Sequence, residues 1–165
     1  MTSDTRSDDV KKLAELIKDI RIAMLTTVDE DGSLRSRPMA TQDVEFEGEL
    51  WFMVGADSAK VHEVQEDRQV NVSFANPDDQ RYVSVSGSAQ LVRDRQKIDE
   101  FWNPMYKAWF PEGKDDPNIA LLRVTVSKAE YWDSHSSPVV HLLGFAKALI
   151  TGQSYDGGEN EKVTL

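Results

Sequence analysis

Apolar and polar residues alternate strictly in two neighbouring segments of this chain. They are residues 70–74 (VNVSF) and 82–87 (YVSVSG), and the turn-forming run NPDDQ lies between them. A period of two residues is typical of a β-strand with one buried face, and two such strands joined by a turn predict an antiparallel hairpin. The alternation of strands and helices that builds a parallel sheet is missing from the chain.

Further strands are predicted before this hairpin. Residues 22–28 and 34–41 flank a DEDG run, whose Gly32 can adopt the positive φ of a tight turn. The second of these strands contains Pro38, which has no N–H to donate to a neighbouring strand, so we expect it at an edge of the sheet or at a bulge. Residues 44–46 and 50–54 predict another hairpin.

The later part of the chain predicts two more strands, over residues 121–126 and 130–132. Because residues 50–54 (LWFMV) are apolar on both faces, we expect that strand to be central in the sheet. Beyond Gly152 the sequence reads as a polar tail.

Four helices are predicted around these strands from capping residues and from apolar residues at three- and four-residue spacing. They are an N-terminal helix over about residues 8–21, a short helix from Ser58, a helix from Asp94 that Pro104 divides, and a C-terminal helix over about residues 138–150. Six to eight short strands with these helices predict a mainly β fold, an antiparallel barrel forming one domain over residues 1–165.

Composition excludes several classes of function. The formal net charge of -10 disfavours nucleic acid and anionic membranes as partners. The absence of cysteine excludes disulfides, zinc–thiolate sites and thiol nucleophiles, and the first residues carry no pattern of a secretory signal. We therefore expect a cytoplasmic protein that does not span a membrane. The three histidines lack metal-ligand spacing, so no bound metal is expected.

The strongest candidate for chemistry is Ser58-Ala59-Lys60, which opens the second helix. A helix N-terminus has free N–H groups and a partial positive charge, and a hydroxyl with an ammonium beside it suits a phosphate dianion. Arg35 and Arg37 lie two residues apart on the predicted edge strand, so they share one face and either could reach the same anion. Ordinary helix capping and a charged edge strand explain the same residues without any ligand.

These motifs, in this order, resemble the pyridoxamine 5'-phosphate oxidase-like FMN-binding split-barrel family and its general stress protein 26 branch. The resemblance runs from about residue 22 to residue 132. It rests on RPMAT at 37–41, LWFMV at 50–54, DSAKV at 57–61, YVSVSG at 82–87 and EYWD at 130–133.

The resemblance implies a split antiparallel β-barrel, a homodimer and a flavin between the subunits. The cofactor is expected to be FMN, with FAD or a deazaflavin as alternatives. The implied contacts to the phosphate are Arg37, Ser58 and Lys60. Those to the flavin ring are Pro38, Met39, Ala40, Phe52, Met53 and Val54, with a further contact at Tyr82 and one from the partner at Trp132.

Two functions fit this reading. One is a flavin-dependent oxidoreductase acting on an unidentified small molecule, and the other is a flavin-binding sensor or carrier without turnover, in either case with a possible link to stress. No catalytic residue is assigned, since a flavin supplies its own redox chemistry. The oxidases of the family differ at Val54 and Ala59, and the chain lacks their C-terminal Arg-x-His segment, so vitamin B6 phosphate is not the expected substrate.

Two other groups of residues could carry chemistry but have simpler interpretations. Asp133, Ser134 and His135 are adjacent in one segment and cannot converge as a hydrolase triad must, so we expect a polar loop there. Aromatic residues at helical spacing could line a substrate pocket, but core packing is the simpler interpretation. These residues are Phe101, Trp102, Trp109 and Phe110.

Overall fold

The computed structural model describes residues 3–134, 138–152 and 158–165. Its strands are β1 (Ile22–Val28), β2 (Leu34–Ala40), β3 (Glu49–Gly55), β4 (Gln69–Asn76), β5 (Arg81–Val92), β6 (Ile119–Asp133) and β7 (Glu159–Thr164). Its α-helices are α1 (Ser3–Ile17), α2 (Ala59–Glu66), α3 (Arg95–Phe101) and α4 (Pro138–Thr151). Two 3-10 helices, Pro104–Ala108 and Gly113–Asp115, follow α3.

All pairings between the described strands are antiparallel, in the order β2-β1-β4-β5-β6-β3, with β7 also paired to β6. The sheet curls around a core of alternating inward side chains, among them Leu25, Val72 and Val85. The helix α1 contributes Leu13 and Leu16 to the same core. The predicted antiparallel split barrel is confirmed.

The barrel is split between β2 and β3, the two ends of the strand order. Among the described residues, β2 pairs only with β1 and β3 only with β6. The edge position predicted for the Pro38 strand is confirmed. The central position predicted for residues 50–54 is wrong, because the side chains of β3 that face away from the barrel are covered by α3 instead of by another strand. Trp51 packs against Phe101, with ring centroids 5.7 Å apart.

In the region from α3 to β6, the predicted end of the helix is confirmed, and core packing is confirmed for only part of the aromatic group. As predicted, the helix that starts at the Asp94 cap ends before Pro104. Phe101 and Phe110 are buried, which confirms core packing for them, whereas Trp109 is exposed. The same part of the chain forms a second small core of Ile98, Phe101, Phe110, Ile119 and Leu121.

Two strand predictions differ from the structure. Residues 44–46 form no strand, because Phe46 reaches the core from an irregular loop while Val44 is exposed. The two predicted final strands are one, β6, which continues through an irregularity opposite Ser86 and Gly87. A Cβ on Gly87 would lie 2.3 Å from the carbonyl oxygen of Thr125, so the close approach of β5 and β6 there requires glycine.

The chain termini also differ from the predictions. The helix α1 covers Ser3–Ile17, while the predicted helix ran over about residues 8–21. The predicted polar tail contains β7, which pairs with β6 from Asp133↔Glu159 to Lys128↔Thr164 and buries Val163. The helix α4 confirms the predicted C-terminal helix. Within the described parts of the chain, every helix is too short or too polar to cross a bilayer.

Candidate functional site

The inward face of β2 meets α2 at one end of the split. Arg35, Arg37 and Met39 alternate with outward residues along β2, and Met39 is buried in the core. The two arginines therefore share one side of the strand, as the sequence predicts. Both point to α2, where they contact the carboxylate of Glu63.

Glu63 is the centre of a buried network. Its side chain is only 4% exposed, and its oxygens accept hydrogen bonds from Arg35 Nη1 at 2.6 Å and Arg37 Nη2 at 2.9 Å. The buried Thr27 hydroxyl on β1 donates to the same oxygen as Arg37. Burial opposes ionisation of Glu63, but the hydrogen bond from Thr27 and the two guanidinium charges lower its pKa overall. Glu63 is therefore ionised at neutral pH.

Lys60 lies one turn before Glu63 on α2 and belongs to the same cluster. Burial lowers the pKa of Lys60, and the positive charge of Arg37 lowers it further, while Glu63 acts in the opposite direction. When a lysine is desolvated beside an arginine, a nearby anion stabilises its protonated form. Asp29 also pairs with Arg35 at 3.9 Å, so three cationic side chains and two carboxylates leave this cluster with one net positive charge, in a chain whose net charge is -10.

Ser58 precedes α2 and accepts, through its backbone carbonyl, hydrogen bonds from the N–H groups of Val61 and His62. Its side chain does not cap the helix, in contrast to the predicted capping role. The Oγ atom is buried and has no hydrogen-bond partner among the described residues. A buried hydroxyl without a partner destabilises a fold by about 1 to 3 kcal/mol. This position therefore offers a donor to a ligand at the N-terminus of α2, whose first turn carries no acidic side chain.

The predicted ring contacts lie on the two strand edges that face the split. Residues 38–40 belong to β2 and residues 52–54 to β3, and in the described chain no strand pairs with the free edge of either. Free strand edges present unpaired N–H and C=O groups. Phe52 and Val54 are buried, Met53 is half-buried, and Pro38 and Ala40 are exposed. An aromatic heterocycle placed across the split would thus find backbone donors and acceptors beside apolar side chains.

Tyr82 and Trp132 lie elsewhere in the same subunit. They are directly paired on β5 and β6, on the outer face of the sheet. The strands β1 and β4 separate β5 from β2, so Tyr82 is roughly 14 Å from β2 at the usual strand spacing. The structure thus brings Arg37, Lys60 and the start of α2 together and leaves Tyr82 and Trp132 apart from them.

A groove of about 490 Å³ lies between α1 and residues 41–52. Of the predicted flavin contacts it contains only Phe52, so it is not the predicted cofactor site. Its walls include Lys11, Gln42, Trp51 and Phe74. The Gln42 side chain also donates to the Tyr106 hydroxyl at 3.0 Å, which ties this loop to the 3-10 helix after α3.

The histidines in the described part of the chain show no sign of a metal site. His62 is exposed on α2 and contacts Glu30 at 3.1 Å. His135, from the rejected triad, lies outside the described residues. Among the described residues, no group of three or more acidic or histidine side chains could hold a metal ion.

Sequence reasoning missed Glu63 and Thr27. The pattern that could have found Glu63 is its spacing of three residues from Lys60, which places both side chains on one face of the helix opposite two arginines. No such pattern identifies Thr27, because threonine is a common residue in β-strands and nothing in the sequence distinguishes this one.

The sequence and the fold were compared with those of known proteins. The family model described as "Pyridoxamine 5'-phosphate oxidase like" matches residues 8–156. Protein bli-3 of Neurospora crassa is 32% identical over 154 residues, which cover 87% of this chain and 74% of that protein.

Two crystal structures are similar over most of the fold. A protein assigned to general stress protein 26 from Jannaschia sp. CCS1 has a TM-score of 0.77 and 26% identity, covering 96% of this chain and 99% of that one. The general stress FMN/FAD binding protein of Xanthomonas citri has a TM-score of 0.67 and 33% identity, covering 79% of this chain and 92% of that one.

Proposed function

Since the chain belongs to the pyridoxamine 5'-phosphate oxidase-like family, we propose that it is a flavoprotein that binds FMN. In this proposal the FMN phosphate is held by Arg37, Ser58 and Lys60. The observation that carries it is the buried, unpartnered hydroxyl of Ser58 beside a helix N-terminus and a cationic cluster. The printed name of the Xanthomonas citri protein, FMN/FAD binding, supports the same class of cofactor.

The charge of the cluster favours a phosphate monoester. Such a group carries about -1.5 to -2 charges at pH 7, opposite in sign to the one net positive charge of the cluster formed by Arg35, Arg37, Lys60, Glu63 and Asp29. FMN ends in a group of this kind. FAD and a deazaflavin with a longer side chain remain the alternatives, and mass spectrometry of the released ligand distinguishes them.

The chain's own contribution to chemistry would be binding, orientation and exclusion of water. A bound flavin supplies hydride and electron transfer. Residues 38–40 and 52–54 carry no acidic or basic side chain. Backbone groups on the free edges of β2 and β3 would orient the ring, and the buried side chains of Phe52 and Val54 would exclude water from one side of it.

A redox enzyme and a non-catalytic flavin sensor or carrier both follow from this site. We propose the redox enzyme, with a small molecule as electron acceptor and a role in stress responses. Rapid bleaching of the bound flavin on anaerobic mixing with NADH or NADPH would support it, whereas absent reduction would favour the sensor or carrier. As the sequence has no cysteine and needs no oxidising compartment, the cytoplasm is the proposed location.

We further propose that two copies of the chain form a dimer through the outer face of the sheet. This surface, which we call the outer face, exposes Ile22, Met24, Tyr82 and Trp132. The register places all four on the same side of β1, β5 and β6. An exposed apolar patch on a sheet marks an interaction site, and a twofold axis would let the patch cover itself.

The absorption spectrum of the purified protein, before and after addition of FMN, tests the proposed function. A flavin spectrum in the preparation, or a saturable change on addition of FMN, is the expected result. A colourless preparation that takes up no FMN would exclude the function.

A further inference from the structure

Glu63 is not one of the proposed phosphate ligands, yet it contacts Arg37, which is one of them, and the neighbouring Arg35. It is a carboxylate with 4% exposure, placed between β1, β2 and α2. A buried carboxylate is costly unless it is paired and hydrogen-bonded, and an apolar side chain of similar size often stabilises such a position better. A contribution to folding alone is therefore a weak explanation for Glu63.

The geometry shows what Glu63 does to Arg37. Guanidinium has five N–H donors in a rigid plane. In Arg37, one donor goes to Glu63 at 2.9 Å and another contacts the carbonyl oxygen of Leu25 at 3.4 Å. These two contacts fix the plane of the group and leave three donors for a ligand. Without Glu63, only the longer contact to Leu25 would restrain the guanidinium on its flexible stem.

The Thr27 hydroxyl makes this arrangement more rigid. It donates to Oε2 of Glu63, the oxygen that also accepts from Arg37, while Arg35 binds Oε1. Each carboxylate oxygen thus has an assigned partner. The Glu63 side chain cannot rotate without losing at least one of these hydrogen bonds.

We propose that Glu63 is a positioning residue for the phosphate site, which holds the guanidinium of Arg37 in the orientation that receives the phosphate of the cofactor. This inference rests on the proposed function, because it assigns a role toward the same phosphate. It differs from a purely electrostatic role: a negative charge beside the site repels phosphate, so loss of that charge alone would tighten binding.

The test is a double-mutant cycle on FMN affinity, measured by quenching of flavin fluorescence. In a chain that retains Arg37, Glu63→Gln is expected to weaken FMN binding by about tenfold or more, since a neutral amide holds a guanidinium poorly. In the Arg37→Ala background the same substitution is expected to leave the dissociation constant unchanged or to lower it, because nothing is left to position and only the repulsion between Glu63 and the phosphate is lost. Glu66→Gln, an exposed residue of the same helix, is the matched control.

A second variant guards against loss of the fold. Thr27→Val removes one hydrogen bond to Glu63 and keeps all charges, so it should weaken FMN binding in the same direction by a smaller factor. Circular dichroism of the FMN-free variants verifies that they are folded. Unchanged or tighter FMN binding in both Glu63→Gln and Thr27→Val, or equal weakening with and without Arg37, would overturn the inference.

Failure of the proposed function has a different signature. If Arg37→Ala and Lys60→Ala leave FMN binding unchanged, or if the wild-type protein does not bind FMN, the phosphate site itself is wrong. If those two variants weaken binding while Glu63→Gln does not, only the positioning role is wrong.

Discussion

Tyr82 on β5 lies directly opposite Trp132 on β6, and the two side chains are 41% and 40% exposed. An exposed cross-strand pair of large aromatic residues is unusual on a surface that faces only water. Both residues match family motifs, yet β1 and β4 separate them from the phosphate cluster of their own subunit. In the proposed dimer they would face the second copy of the chain, so the proposed dimer and the proposed flavin site are linked.

A charge on the outer face should prevent dimer formation. Met24 lies on this face, directly opposite the proposed flavin contact Pro38 in the register, and Met24→Glu would place a carboxylate in the apolar contact. We expect a dimer for the wild-type protein and a monomer for this variant in sedimentation analysis. Met105→Glu, which alters an exposed methionine of the 3-10 helix, should remain a dimer. A wild-type monomer would contradict the proposal.

Removal of the Lys60 ammonium should release most of the cofactor without unfolding the protein. Lys60→Ala eliminates a charge-assisted contact worth about 1.5 to 3 kcal/mol. The dissociation constant for FMN should therefore rise by a factor of roughly 10 to 150. Isothermal titration measures this change, with Lys114→Ala, an exposed lysine far along the chain, as the control. Unchanged flavin occupancy in Lys60→Ala would remove Lys60 from the site.

Removal of the Ser58 hydroxyl should affect the melting temperature differently in the FMN-free and the FMN-bound protein. Ser58→Ala removes a buried donor that has no partner among the described residues, so the melting temperature of the FMN-free variant should equal or exceed that of the wild type. The rise in melting temperature on saturation with FMN should be smaller in the variant, because one hydrogen bond to phosphate is lost. A variant with lower stability and an undiminished response to FMN would show that the hydroxyl has only a structural role.

FMN affinity should decrease both at high pH, the alkaline limb of its pH profile, and at low pH, the acidic limb. Lys60 must be protonated to bind phosphate, and burial together with Arg37 lowers its pKa below the ordinary 10.5, so affinity should fall as pH rises through that lowered value. The phosphate loses its second charge below about pH 6, so affinity should also fall there. Lys60→Ala should lose the alkaline limb and keep the acidic one. Persistence of the alkaline limb in that variant would assign it to another group.

In the FMN-free protein, the lowered pKa of Lys60 means that its protonated form destabilises the fold. A lysine whose pKa is lower in the folded state than in the unfolded state destabilises the fold when protonated. The destabilisation is fully present below the lowered pKa and disappears as pH rises past 10.5. A bound phosphate relieves it at neutral pH, which adds to the stabilisation by FMN.

Short sequence patterns predict much of the fold. The antiparallel hairpins follow from two-residue alternation, the edge position of β2 from Pro38, and the end of α3 from Pro104. The shared orientation of Arg35 and Arg37 follows from strand geometry alone. In each case a short stretch of chain determines the outcome.

Contacts between distant parts of the chain account for the errors. The apolar outward side of β3 suggested neighbouring strands, but α3 covers it, and the pattern of one segment cannot tell a helix from a strand as its cover. The strand β7 is polar in sequence and forms because the edge of β6 is available. Glu63 was missed because a helical glutamate reads as a surface residue unless the arginines opposite it are known.

Capture of a phosphate at the start of α2 is the central premise of the proposed function, and a comparison of FMN with riboflavin tests it most directly. Riboflavin has the same ring and lacks the phosphate. Titration of the wild-type protein with each flavin should give a dissociation constant for FMN at least about tenfold lower than for riboflavin, as expected for a charge-assisted phosphate contact. Equal affinity for the two flavins, or no binding of FMN, would contradict the account.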